Sequence, residues 1–89
     1  MSDFKDFVNA CHYEGTSLCT IEREDGESGV TGLFMTRGYF MFKNAPFRNK
    51  PFYHVFFDGC HVLSTTVYAH AESTYTNPRI RPRREQNGR

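Results

Sequence analysis

Histidine and cysteine are the chemistry-bearing residues of this chain. They occur as Cys11-His12, Cys19, His54, Cys60-His61 and His70. A structural zinc site needs ligands in close pairs, because one turn must aim two donors at a tetrahedral centre. No CxxC or HxxxH spacing is present. Neighbours on a strand point to opposite faces, so Cys60 and His61 do not suit one metal. Cys60 with His54, or Cys19 with His12, has the composition of a nucleophile and its base. Nothing around them supports that reading, since the chain has no Gly-rich phosphate loop, no GxSxG and no paired-carboxylate motif. The expectation is a protein that is not an enzyme and uses neither metal nor cofactor. The odd count of three cysteines points to free thiols in a reducing compartment rather than a disulfide scaffold.

A second group of residues suits recognition. The loop Asn44-Ala45-Pro46-Phe47-Arg48-Asn49-Lys50-Pro51 is long for a hairpin connection, and its prolines lower the entropy cost of presenting one shape. An aromatic ring beside cations is a common interface anchor. Phe47, Arg48 and Lys50, with Tyr39, Met41 and Phe34 on the adjoining sheet, are therefore the expected partner-binding residues.

The stretch Arg37-Gly38-Tyr39-Phe40-Met41-Phe42-Lys43 resembles the basic-Gly-aromatic signature of single-strand RNA-binding sheets, in which aromatics stack on bases and cations hold phosphates. Phe40 stands where that signature has a small residue, and the accompanying βαβ pattern is missing. The alternative partner is thus RNA or single-stranded DNA. It would be bound through Arg37, Tyr39 and His54 and the arginines Arg79, Arg81, Arg83 and Arg84.

Charge lies in blocks. The chain of 89 residues carries +1 overall, but residues 1–30 hold −5, residues 31–76 hold +2 and residues 77–89 hold +4. The N-terminus lacks the basic and apolar regions of a secretory signal, and no apolar run approaches the ~18 residues of a membrane span. The expected location is the cytoplasm, away from membranes.

These residues must be positioned by a small set of elements. Ser2 can cap a helix whose face carries Phe4, Phe7, Val8 and Cys11 at helical spacing, ending near Glu14-Gly15. The remainder reads as five strands: Ser17 to Arg23, Val30 to Thr36, Tyr39 to Lys43, Phe52 to Phe57 and Cys60 to His70. Turns fall at Asp25-Gly26, Arg37-Gly38 and Asp58-Gly59. Hairpin-length connections make sequence neighbours sheet neighbours. Thr36 should then face Tyr39, Met35 Phe40, Phe34 Met41 and Leu33 Phe42. Val55 should face Val62, and Tyr53 should face Ser64.

The expected fold class is α+β: an N-terminal helix on a five-stranded antiparallel meander, with curling into a small barrel as one way to bury both apolar faces. A single domain spans residues 1–71, and residues 72–89 form a flexible, disordered Arg-rich tail. One short helix cannot cover both faces of an apolar sheet, so a homodimer through the apolar face is a further candidate assembly. The function expected from these features is non-catalytic docking on a larger protein partner. Small inhibitors or modulators encoded by viruses or mobile elements are proteins of this kind.

Overall fold

The computed structural model describes residues 3–38, 40–42, 45–47 and 50–77. The first helix, α1, runs Asp3–Glu14 and buries Phe4, Phe7 and Cys11. The spacing of these residues puts all three on one stripe. Its end is fixed by Gly15 at φ 69°, with the Gly15 N–H donating to His12 O and the Thr16 N–H donating to Cys11 O. This is the paired Schellman closure that satisfies the last helical carbonyls. Ser2, the expected cap, lies outside the described residues.

The main sheet is antiparallel and four-stranded, in the order β1-β2-β5-β6. Strand β1 is Ser17–Gly26, β2 is Gly29–Arg37, β5 is Phe52–Phe57 and β6 is Cys60–Thr65. Among the described residues, two short strands, β3 (Phe40–Phe42) and β4 (Ala45–Phe47), pair with each other and not with the main sheet. The sheet stays open and does not close into a barrel.

Two expected turns are corrected. The β1–β2 reversal sits at Glu27-Ser28, between the paired residues Gly26 and Gly29, rather than at Asp25-Gly26. Arg37-Gly38 does not fold β2 back on β3. Strand β2 pairs with β5 instead, placing Met35 opposite Tyr53, Phe34 opposite His54 and Leu33 opposite Val55. The physical reason is partner quality. Strand β5 supplies six residues with apolar side chains on both faces, whereas β3 is three residues long and turns onto the 44–51 loop.

The Asp58-Gly59 hairpin forms as expected, with φ 53° and 84° at its two central residues. Phe57 faces Cys60, but a bulge between Val55 and Phe56 leaves Val62 unpaired. Val55 therefore faces Leu63 and Tyr53 faces Thr65, one residue beyond the expected register.

The fifth expected strand ends early. From Tyr68 to Thr76 the chain is a second helix, α2, which buries Ala71 and Tyr75. These lie four apart, on one helical face. The expected division between a domain at 1–71 and a tail at 72–89 thus runs through this helix, and Tyr75 belongs to the core. The Arg-rich segment beyond Asn77 lies outside the described residues.

Helix α2 resolves the two-faced sheet. On one face Phe34 and Phe56 pack with Phe4, Phe7, Cys11 and Phe42. On the other, Leu33, Val55 and Phe57 pack with Ala71 and Tyr75. Each face has its own helix, so the fold is three layers with the sheet in the middle. Both apolar faces of the sheet pack against a helix. Among the described residues, no helix is long and apolar enough to cross a membrane.

Candidate functional site

Register across three strands brings polar side chains together beneath α1. Thr36 on β2, His54 on β5 and Ser64 on β6 share the α1-facing side, and the bulge at Val62 places His61 on that side as well. His54 Nε2 is 2.8 Å from Thr36 Oγ1, and His54 Nδ1 is 2.8 Å from Ser64 Oγ. His61 Nε2 is also 2.8 Å from Ser64 Oγ. A neutral imidazole donates from one nitrogen and accepts at the other, and a hydroxyl serves either role, so the row Thr36–His54–Ser64–His61 can be satisfied throughout.

Serine between two imidazoles has the composition of a nucleophilic site, but the environment opposes that chemistry. His54 is fully buried, with the Phe7 ring 4.7 Å away and Phe52 stacked at 6.3 Å. Burial, followed by the proximity of His61, pushes the His54 pKa down to about 3. An effective general base titrates near the working pH. His54 is therefore uncharged at neutral pH. The row is a hydrogen-bonded seam that aligns β2, β5 and β6.

The thiols do not assemble either. Cys11 is buried, and burial raises its pKa to about 11, so it stays protonated at neutral pH. Cys19 and Cys60 are exposed free thiols. Cys60 and His54 lie at different positions of the β5–β6 register: Cys60 faces Phe57, and His54 faces Ser64. Among the described residues, no group of three His, Cys, Asp or Glu side chains is placed to hold a metal.

Several expected contact residues change place. Phe34 is fully buried against Phe4 and Phe56 and offers nothing to a partner. His54 is equally enclosed and cannot stack on a base. Arg37 and Lys50 are exposed. Met41 and Phe47 sit on the small β3–β4 ladder, where Met41 faces Pro46 and Phe47 faces Phe40. Tyr39, Arg48, Arg79, Arg81, Arg83 and Arg84 lie outside the described residues.

The surface with the most open backbone was not singled out by sequence. Among the described residues the sheet has two edge strands: β6, mostly half-buried and packed on by both helices, and β1, whose one neighbour in the sheet is β2. Every residue from Ser17 to Gly26 is exposed except Leu18, which is half-buried. Helix α1 and helix α2 pack over the inner strands and leave most of β1 uncovered on both faces. Its far end is acidic: Glu22, Glu24, Asp25 and Glu27 outnumber Arg23, giving net −3. Arg23 is held locally, its Nε donating to Asp25 Oδ1 at 2.8 Å, with its guanidinium carbon 5.4 Å from the centre of the Phe4 ring. The legible signal was the run of alternating charge on a strand with few apolar residues, which is how natural sheets blunt an edge.

Comparison with protein-family models, with curated proteins and with solved structures finds no match to this chain.

Proposed function

We propose that this chain is a non-catalytic binding domain that docks on a larger protein, with β1 as the centre of the docking surface. One observation carries the reading: β1 is exposed over nearly its whole length, while His54, at the centre of the polar row, is fully buried. A ten-residue strand bonded on one side presents its outer row of backbone donors and acceptors to whatever approaches. Recognition by strand addition uses such an edge: main-chain hydrogen bonds supply affinity, and alternate side chains supply selectivity. Three free thiols, two of them exposed, suit a reducing compartment such as the cytoplasm.

The test is affinity capture by the tagged full-length chain from a cell lysate, with and without nuclease. The reading expects a protein retained equally in both. Loss of the captured material after nuclease treatment would transfer the function to nucleic-acid binding. Nuclease-resistant capture that is unchanged when β1 is altered would move the docking surface off this strand.

A further inference from the structure

We propose that α1 is an acid-released lid: charging His54 frees this helix from the sheet while the sheet and α2 stay folded. The proposal concerns the α1-facing core and is independent of docking along β1.

The position of His54 supplies the trigger. Its imidazole is fully buried in the sheet beneath α1, with the Phe7 ring of that helix 4.7 Å away. Its ring nitrogens are bonded to the hydroxyls of Thr36 and Ser64, each at 2.8 Å. Neither hydroxyl carries the negative charge that would hold an imidazolium in place. The other groups on the packing elements do not supply it. From α1, Cys11 lies in the same core with its thiol pushed up to about 11 and so uncharged, while Asp3 accepts the His61 backbone N–H at 3.0 Å. Lys5, Asp6, His12 and Glu14 of that helix are exposed. From β1, Arg23 lies over the Phe4 ring and is paired with Asp25. From β6, His61 is bonded to Ser64 and adds a like charge when protonated. Strands β2 and β3 present Phe34, Thr36 and Phe42 to this side.

The layering lets α1 leave alone. The core under α1, with Phe34 and Phe56 at its base, shares no residue with the core of Leu33, Val55, Phe57, Ala71 and Tyr75 under α2. The two lie on opposite faces of the sheet, so loss of the first leaves the second packed. Gly15, at φ 69° and with nothing within 4 Å of a Cβ built on it, joins α1 to β1 and leaves room for the helix to swing. Two hydrogen bonds of 3.0 Å tie down its first turn, Phe4 N–H to Gly59 O and His61 N–H to Asp3 Oδ2. A helix of 12 residues is marginal without its packing face, so a released α1 frays.

Burial, followed by His61, holds the His54 pKa at about 3 while α1 is closed, and exposure to water returns it to 6.5. The open state therefore binds the proton more readily. The closed state is fully favoured above pH 6.5 and loses ground as pH falls. Between pH 7 and pH 5 the opening constant of α1 should rise about twentyfold.

The experiment is amide hydrogen exchange on the full-length chain at pH 7 and pH 5, expressed as protection factors and repeated over a series of low urea concentrations. Amides from Phe7 to Glu14 should be less protected than those of β5 and α2 at both pH values. Their protection should fall about twentyfold at pH 5, and it should depend less on urea than that of β5. A single protection and a single urea dependence shared by α1, β5 and α2 at pH 5 would mean that α1 leaves only with the whole domain, and would overturn the lid. In His54→Gln the protection of α1 should no longer follow pH, and an unchanged twentyfold fall would overturn His54 as the trigger. Ring-nitrogen NMR of the unaltered chain gives a check that does not rely on the variant folding. The signals of a charged His54 should appear only in molecules whose α1 amides have lost protection. A charged His54 beneath a protected α1 would overturn the proposal.

Discussion

His54 and Ser64 face each other across β5 and β6, with Nδ1 and Oγ 2.8 Å apart and the imidazole fully buried. The pair makes the stability of the fold dependent on pH. The folded-state pKa of His54 is pushed down to about 3 by burial and then by His61, from an ordinary value of 6.5. The unfolded chain binds this proton more readily than the folded one. The His54 contribution is therefore complete above pH 6.5 and declines as pH falls from there toward about 3, where it levels off. Urea midpoints measured across that range should fall by an amount corresponding to several kcal/mol in total. Carboxylates titrate in part of the same range, so His54→Gln supplies the comparison. The variant's midpoint should depend less steeply on pH, and an unchanged slope would remove His54 from the account.

Phe7 is the centre of the α1-facing core. Its ring lies 5.0 Å from Phe56 and 5.3 Å from Phe42 as well as over His54. Phe7→Ala should cost about 3–5 kcal/mol, enough to unfold much of a population of a domain this small. Tyr13, on the same helix but 86% exposed, is the control. Tyr13→Ala should stay within about 0.5 kcal/mol of the parent by chemical denaturation.

How far the sequence reached can be judged residue by residue. Phe4, Phe7 and Cys11 were legible because helical spacing is a local property. Asp58-Gly59 was legible because the turn itself demands those residue types. The β2–β5 pairing was not, since Arg37-Gly38 is an acceptable reversal and nothing local says that Phe52–Phe57 is the better neighbour for β2. Tyr68–Thr76 misled for another reason. Ala69, Ala71 and Glu72 favour a helix, but Thr and Tyr favour strands and the buried face consists of Ala71 and Tyr75, too short a stripe to read as amphipathic before packing on Leu33, Val55 and Phe57 is known. The apolar character of both sheet faces was visible, but the second helix that covers one of them was not. Of the candidate site, His54 was noticed as a residue and misplaced as a surface. Thr36 and Ser64 became its partners only once the register was known.

Tyr75 gives a direct check on α2. It is 3% exposed and its ring lies 6.1 Å from that of Phe57. Tyr75→Ala should destabilise by about 3 kcal/mol in thermal or urea unfolding. A change within about 0.5 kcal/mol, the surface range, would return this segment to a peripheral role.

Gly29 and Gly15 both have positive φ, at 137° and 69°, but in different surroundings. A Cβ at Gly29 would come within 2.9 Å of the Asp58 and Gly59 backbone, where the Gly59 N–H donates to Val30 O. A Cβ at Gly15 would meet nothing within 4 Å. Gly29→Ala should therefore cost more than about 2 kcal/mol and Gly15→Ala about 1 kcal/mol. Equal melting temperatures for the two variants would contradict the close approach of the two hairpins.

The claim that recognition occurs along β1 is tested most directly by amide hydrogen exchange on the full-length chain, free and bound to the protein it captures from lysate. The account predicts that protection rises within Ser17–Gly26 at alternate amides, those on the outer edge, and stays unchanged in β5. Protection that rises only between Arg37 and Lys50, or uniformly without alternation in β1, would contradict it.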